Sequence, residues 1–374
     1  MSEQRARRYH RLQFWLGAAG FAVTVCYIIV VLITGVGHVV VAVATRVSSM
    51  LAWQVACVAV ALGAAERIIT FPLSWVRGWW LPRRYGLLHQ PFAAWLTDRL
   101  KATGIGAVFG FVTVEVIYLL MAATPLWWLA AAGILIGFEV LVACVFPVWL
   151  LPLFYRLVPL ADDELRGRLL ALASRAGIGV VGVWVADQSR KSRTANAALA
   201  GLGRTRRIVL FDTLVTEFQP DEMEAVLAHE LAHHVHHDLW RGLGLQVALT
   251  VLALWIADRL LGLGVRLWDL TTTSDPAGLP WLSLVLLGVG LVTAPLAHGF
   301  SRRLERQADD FALRLTGRVE PFVGAMERLA SLNLAERRPH RLKELLFYSH
   351  PSIERRIDRA RRWHVDRKLV AFRG

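Results

Sequence analysis

The 374-residue chain is 55% hydrophobic and only 19% charged, a balance that argues against an ordinary soluble globular protein. Its formal net charge is +13. Because the basic residues flank long apolar blocks, we attribute this charge to the positive-inside bias of membrane proteins, and we predict the lipid bilayer rather than nucleic acid as a partner.

Six apolar segments approach the ~20 residues that cross a ~30 Å hydrocarbon core. In chain order they lie at 14–36, 47–70, 104–124, 127–150, 243–264 and 280–300. We therefore predict a mainly α-helical, polytopic membrane protein with about six spans and a small cytosolic α+β domain. The predicted regions are a membrane region of four spans (1–154), a cytosolic α+β part (155–240), two further spans (241–300) and a cytosolic helical part (301–374).

Loop charges predict the orientation of the spans. Basic residues concentrate in the N-terminal arm, in the loop after the second span and after the fourth and sixth spans. With six spans all these segments fall on one side, which the positive-inside rule makes cytoplasmic. The two hydrophilic regions, 155–240 and 301–374, are therefore predicted to face the cytoplasm. Since the chain is rich in Arg, Ala, Val and Leu and poor in Lys, we expect a bacterial plasma-membrane protein.

The first hydrophilic region has the pattern of a small α+β layer. Residues 162–176 show helical periodicity with acidic residues in the first turn, and 180–186 and 207–211 are rich in Val and Ile, as strands are. A small-residue segment, 195–203, lies between the two strands. A further helix is predicted to begin at Gln219-Pro220-Asp221.

That last helix carries the motif His229-Glu230-Leu231-Ala232-His233. Residues four apart share one helical face, so His229 and His233 can bind the same metal ion. Glu230 is placed to take a proton from the attacking water and to pass it to the leaving amine. The alternative is a solvated, histidine-rich helix face, and we expect the nearby His234, His236 and His237 to be exposed polar residues of that kind.

A third ligand is predicted just after the sixth span. Glu305 and Asp309 are four residues apart, so Glu305 can bind the metal while Asp309 hydrogen-bonds to a ligating imidazole. The alternative is a charged helix face with Arg–Glu pairs. Because this segment is predicted on the same membrane side as His229 and His233, we favour the ligand interpretation. Two histidines and one glutamate with a remaining open position are typical of catalytic zinc, so we predict one Zn²⁺ per chain. The small cytosolic α+β domain is then a catalytic domain of the zincin type, with its active site facing the cytoplasm.

Several segments together resemble the M48 peptidases and, within them, the type I CAAX prenyl proteases. They are HELAH at 229–233, SRRLERQAD at 301–309, HPS at 350–352, RRYGL at 83–87, NA at 196–197 and RIVLFDTL at 207–214. The matches extend over about residues 70–360. The resemblance implies a membrane-embedded, zinc-dependent endopeptidase that hydrolyses peptide bonds of membrane-associated or lipidated proteins, which include prenylated ones.

The resemblance also implies roles for four further residues. Asn196 and Ala197 belong to an edge strand that pairs with an extended substrate. His350 stabilises the tetrahedral oxyanion. Arg356 supports the site or contacts a substrate carbonyl.

Three alternatives remain open at this point. Within the enzyme class, the chain can be an HtpX-like quality-control protease. Outside it, the chain can be an inactive M48-like scaffold, or a transporter that uses Glu115 and Glu139, which lie inside predicted spans. The sequence has no internal repeat of the kind that transporters show, and all four residues of the proposed metal site are present.

Overall fold

The structure is a computed structural model that describes residues 3–145, 149–201 and 203–371. Helices dominate these residues, and a single small sheet lies in the second half of the chain. The helices are α1 (Glu3–Thr34), α2 (Val36–Thr45), α3 (Leu51–Trp75), α4 (Leu81–Arg84), α5 (Phe92–Ala123), α6 (Trp127–Val145), α7 (Asp163–Arg175), α8 (Asp212–Glu217), α9 (Pro220–Val235), α10 (Asp238–Leu267), α11 (Leu279–Thr316), α12 (Val319–Leu332), α13 (Arg341–Phe347) and α14 (Ile353–Ala371). The strands are β1 (Leu157–Pro159), β2 (Val183–Ala186), β3 (Ala197–Ala200) and β4 (Arg207–Phe211).

Five helical segments are long and apolar enough to cross a membrane. They contain α1, α3 with α4, α5, α10 and α11, and they coincide with five of the six predicted spans. The remaining predicted span, 127–150, falls on α6, whose apolar part is a shorter helix, and residues 146–148 lie outside the described residues. The mainly helical membrane fold with a small sheet is confirmed.

The membrane helices pack through an apolar cluster that joins α3, α5, α6, α10 and α11. Leu261 and Ala257 of α10 are almost fully buried in it. One polar contact accompanies this packing: the Trp127 indole donates a 2.8 Å hydrogen bond to the Asp258 carboxylate. A buried indole N–H needs such an acceptor, so the bond fixes α6 against α10.

The sheet has the order β1-β2-β4-β3, with β2 and β4 parallel and both outer strands antiparallel to their neighbours. The predicted strand 207–211 is confirmed, and the predicted strand 180–186 is confirmed in its second half as β2. The small-residue segment contains β3, which forms one edge of the sheet. Its Ala197 lies opposite Leu210 of β4.

Helix α9 begins where the sequence predicts, and its first turn explains why. Gln219 and Glu222 form a capping box, in which the Glu222 carboxylate accepts a 2.9 Å hydrogen bond from the Gln219 backbone N–H. Arg328 of α12 donates to the same carboxylate at 2.9 Å. The start of α9 is thereby fixed to α12, while Leu227 and Leu231 are fully buried in the core of the second half.

Helix α11 connects the membrane to the second half without a break over 38 residues. The predicted region boundaries at residues 240 and 300 fall inside α10 and α11, which continue through them. The two helices therefore hold the second half of the chain directly against the membrane-spanning part.

Candidate metal centre

Helices α9 and α11 bring the three predicted ligands together. His229, His233 and Glu305 each offer a ligand atom, and these atoms lie within 4.8 Å of one another. Nε2 of His229 is 3.2 Å from one Glu305 carboxylate oxygen, and Nε2 of His233 is 3.6 Å from the other. The two imidazole rings are perpendicular, with centroids 4.9 Å apart, as expected for residues one turn apart on the same face.

A carboxylate fixes the orientation of each imidazole. Asp309 lies 2.9 Å from Nδ1 of His229, and Asp238 lies 2.9 Å from Nδ1 of His233. Both Nε2 atoms are thereby left to face Glu305. Such carboxylate–histidine pairs orient metal ligands and raise their basicity.

Asp238 is not among the residues predicted from the sequence, although it is the first residue of α10 and only five positions after His233. His237, with a left-handed φ of 56°, separates α9 from α10. A carboxylate a few residues after HExxH is the feature by which this residue can be identified in a sequence.

The donor set fits a divalent metal ion. One Glu305 carboxylate oxygen, Oε2, is buried and lacks a hydrogen-bond partner among the described residues, although Nε2 of His229 lies close to it. A buried, unpaired carboxylate oxygen is costly unless a cation satisfies it. Two imidazole nitrogens and one such oxygen are a typical set for catalytic zinc.

The surroundings shift the protonation of two groups of α9. Burial lowers the pKa of His229, but the Asp309 and Glu305 carboxylates outweigh this effect and raise the pKa to about 9. Burial raises the pKa of the Glu230 carboxyl, with Glu305 adding to the rise and the neighbouring imidazoles opposing it. A raised pKa makes Glu230 a stronger proton acceptor than an ordinary glutamate.

Arg356 of α14 lies behind the ligands rather than among them. Its guanidinium is buried and binds the Asp309 carboxylate through two hydrogen bonds of 2.9 and 2.6 Å. It also lies 3.3 Å from Nδ1 of His229. Of the two predicted roles for Arg356, this geometry favours support of the site over contact with a substrate carbonyl.

His350 lies beside the ligand cluster and is open to solvent. Its Nε2 is 3.1 Å from Glu305, its side chain is 59% exposed, and Nδ1 is 2.8 Å from the Ser349 hydroxyl. A group that is both exposed and next to the ligands can reach a bound substrate.

The edge strand lies next to the HExxH helix. Asn196 is exposed just before β3, where its carbonyl accepts a 3.0 Å hydrogen bond from the Phe211 N–H, and Ala197 is the buried first residue of the strand. Nε2 of His234 lies 3.2 Å from the Leu199 carbonyl of β3, so this imidazole joins α9 to the strand.

The expectation of exposed histidines is wrong for His234 and His236, which are half-buried, and it holds for His237. His236 packs its ring edge-on against Phe311 of α11. The burial of both follows from the approach of β3 and α11 to the same end of α9.

Two families match consecutive parts of the chain. Residues 159–364 match "Peptidase family M48", and residues 2–156 match "CAAX prenyl protease N-terminal, five membrane helices". The first match contains the whole ligand cluster, together with Asp238, Asp309 and Arg356.

Two curated relatives, a metalloprotease and a prenyl protease, are similar to this chain in sequence. An uncharacterized metalloprotease, YhfN, of Bacillus subtilis is 29% identical over 304 residues, which are 80% of this chain and 71% of that protein. CAAX prenyl protease 1 of Saccharomyces cerevisiae is 32% identical over 176 residues, which are 46% of this chain and 38% of the yeast protein.

Among solved structures, the crystal structure of S. mikatae Ste24p has the same fold, with a TM-score of 0.86. The similarity covers 96% of this chain and 88% of that one at 23% sequence identity. It therefore extends over both the membrane helices and the metal-binding half.

Proposed function

The chain belongs to peptidase family M48, and on this premise we propose that it is a zinc-dependent endopeptidase that cleaves membrane-associated or lipidated proteins. It is an integral membrane metallopeptidase similar to the CAAX prenyl proteases. The observation that supports the zinc site best is the convergence of His229, His233 and Glu305 on one point, with a carboxylate behind each imidazole.

In this proposal His229, His233 and Glu305 hold one Zn²⁺. When bound, the ion polarises the scissile carbonyl and makes water acidic enough to lose a proton near neutral pH. Glu230 accepts that proton and delivers it to the leaving amine. Asp309 and Asp238 hold the two imidazoles in the tautomer that leaves Nε2 free for the ion.

Two further side chains have different roles, one towards the substrate and one in support of the ligands. His350 donates a hydrogen bond to the oxyanion that forms at the scissile carbonyl, which its exposure and its position beside Glu305 allow. Arg356 keeps Asp309 ionised and in place, and so acts through Asp309 and His229.

The substrate is proposed to bind as an added strand. The edge of β3 that does not pair with β4 lies towards α9, and an extended peptide beside Asn196 and Ala197 can hydrogen-bond to it. This arrangement places a peptide bond near the metal without requiring a particular side-chain sequence.

The membrane location supports a lipidated or membrane-anchored substrate. Helices α10 and α11 lead directly from the ligand cluster into the membrane-spanning part. A short peptide can therefore keep its lipid anchor in the membrane while its scissile bond lies at the metal site. The prenyl-protease relatives favour this substrate class over a general quality-control role of the HtpX type. We also propose the four-region division on the basis of the apolar segments, and a bacterial plasma membrane on the basis of the Arg-rich, Lys-poor composition. The positive-inside rule supports the cytoplasmic side for the site.

Peptide cleavage by the purified protein in detergent tests this proposal. One CAAX peptide, with and without its prenyl group, is incubated with wild type and with Glu230→Gln. We expect cleavage of the prenylated peptide and its loss in the variant. Equal cleavage of both peptides would retain the peptidase and exclude prenyl specificity, whereas undiminished cleavage by Glu230→Gln would exclude the proposed base.

A further inference from the structure

Arginines line a cavity of about 560 Å³ between α11, α13 and α14. Seven arginines, three acidic residues and Pro351 form its lining, which therefore has a formal charge of +4. We refer to this cavity as the arginine groove, and the arginines that matter here are Arg302, Arg306, Arg341, Arg355, Arg359 and Arg362.

Some of these arginines are fixed by the protein. Arg302 is buried and donates to the Glu344 carbonyl at 3.0 Å and to the Tyr348 carbonyl at 2.5 Å. Arg359 pairs with Asp310 at 2.6 Å. These guanidiniums therefore form a rigid part of the lining.

Three other arginines of the groove carry positive charge that no acidic side chain among the described residues pairs with. Within the part of the chain that the structure describes, Arg306, Arg341 and Arg362 are exposed and have no salt-bridge partner. Three unpaired guanidiniums around a concave surface repel cations and offer planar pairs of donors to an anion.

Helix α13, which contributes to the groove lining, contacts two of the membrane-crossing helices. Its Leu346 carbonyl accepts a 2.8 Å hydrogen bond from His298, and its Phe347 ring lies 5.3 Å from the Phe14 ring in edge-to-face geometry. His298 belongs to the membrane-crossing segment with α11, and Phe14 belongs to α1. Helix α13 therefore lies where these two helices leave the lipid.

Helix α13 also exposes apolar side chains. Leu342, Leu345 and Phe347 are 56%, 54% and 51% exposed, although α13 has only seven residues. In water such exposure is unfavourable, whereas at a membrane surface these side chains insert among acyl chains. Arg341 at the start of the same helix lies in the groove lining.

We propose that the arginine groove binds the phosphate headgroup of an anionic membrane phospholipid, with Leu342 and Leu345 against its acyl chains. Guanidinium groups match phosphate oxygens through paired hydrogen bonds, and basic pockets beside membrane helices recognise such headgroups. Asp309 and Arg356 also line the groove, so the bound headgroup lies next to the pair that supports His229. The readout of this site is lipid binding, which does not depend on the proposed peptidase activity.

The test titrates the full-length protein in detergent with three probes and counts bound ligand by native mass spectrometry. The probes are dioctanoyl-phosphatidylglycerol, dioctanoyl-phosphatidylcholine and inorganic phosphate. The groove variant combines Arg306→Gln, Arg341→Gln and Arg362→Gln. The matched control combines Arg8→Gln, Arg11→Gln and Arg303→Gln, which removes equal charge from exposed arginines outside the groove.

We expect wild type to prefer phosphatidylglycerol over both other probes. The groove variant should bind phosphatidylglycerol at least about tenfold more weakly, since each basic residue near an anionic lipid adds appreciably to the binding free energy. The affinity of the control variant should stay within about twofold of wild type. Leu342→Gln with Leu345→Gln should weaken lipid binding and leave phosphate binding unchanged.

Three results would overturn the proposal. Phosphate that binds as tightly as the lipid, with the same arginine dependence, would make this a free-anion site. Equal losses of phosphatidylglycerol binding in the groove variant and the control would mean that the lipid binds through general surface charge. Equal binding of phosphatidylglycerol and phosphatidylcholine would exclude recognition of the headgroup. If the triple variant does not fold, the three single substitutions are measured instead, each with an expected loss of about threefold.

Discussion

The metal centre and the membrane cluster are both buried, but they are held together by different forces. At the centre, five titratable side chains with less than a tenth of their surface exposed belong to one chain of polar contacts, in which His233 connects Asp238 to the rest. They are His229, Asp238, Glu305, Asp309 and Arg356. In the membrane cluster the buried side chains are almost all apolar. Buried charges are tolerated only in paired arrangements, so the metal centre requires each charged partner to be present. The stability of the membrane cluster depends instead on how completely its side chains fill the interior volume.

This difference predicts that substitutions in the two regions affect separate properties. At the centre, changing one atom should reduce metal binding or catalysis, with a loss of stability where a buried charge such as Arg356 is left without its partner. In the membrane cluster, removing a side chain should reduce stability and leave the metal site unchanged. Four experiments sharpen or break this separation.

The largest effect is expected for His233→Ala. Loss of one of three ligands should remove the metal and reduce peptide cleavage by at least about 10³-fold, because metal assistance provides several kcal/mol of transition-state stabilisation. Metal content and cleavage are measured on the same sample. His236→Ala, a change at the C-cap of the same helix and outside the ligand cluster, is the control and should retain both.

A smaller effect is expected for Asp309→Asn. The loss of a carboxylate behind a ligating imidazole typically costs about 10- to 100-fold in metal affinity or activity. Asp310→Asn is the matched control, since Asp310 is adjacent but pairs with Arg359 rather than with an imidazole. Competition with a chelator measures the affinity, and equal effects of the two substitutions would contradict the orienting role of Asp309.

Metal affinity should also depend on pH. The pKa of His229 is raised to about 9 without metal, so below pH 9 the ion must displace a proton from this imidazole. Affinity should therefore increase by about tenfold per pH unit from pH 6.5 to 8.5. Asp309→Asn removes one cause of the raised pKa and should flatten this dependence. A pH-independent affinity in wild type would contradict the protonation of His229.

The smallest effect on the metal site is expected for Leu261→Ala in the membrane cluster. The cavity left by this fully buried side chain should cost about 2–5 kcal/mol of unfolding free energy. Metal affinity should remain within about twofold of wild type, since the ligands belong to other parts of the fold. Leu263→Ala, 38% exposed on the same helix, is the control for thermal stability. A lost metal site in Leu261→Ala would break the separation of the two regions.

Local periodicity explains what the sequence could predict. The four-residue spacing of His229 and His233, and of Glu305 and Asp309, places each pair on one helical face whatever the tertiary structure. The apolar segments predicted the spanning helices for a similar reason, because the bilayer sets their length.

Tertiary contacts explain what the sequence could not predict. Asp238 reaches His233 because the left-handed His237 reverses the chain between two helices, which no helical spacing describes. Arg356 meets Asp309 across 47 residues. The strand β3 consists of alanines and one leucine, residues with little strand preference, and it forms because β4 offers it a partner.

Glu230 is proposed to act as the base beside a metal that His229, His233 and Glu305 hold. The most direct measurement is the metal content and the cleavage rate of Glu230→Gln in the same detergent preparation as wild type. We predict that the variant retains one equivalent of zinc while cleavage falls by about 10²- to 10⁴-fold, the range of general acid–base catalysis. A variant that retains zinc and cleaves at the wild-type rate would contradict the account.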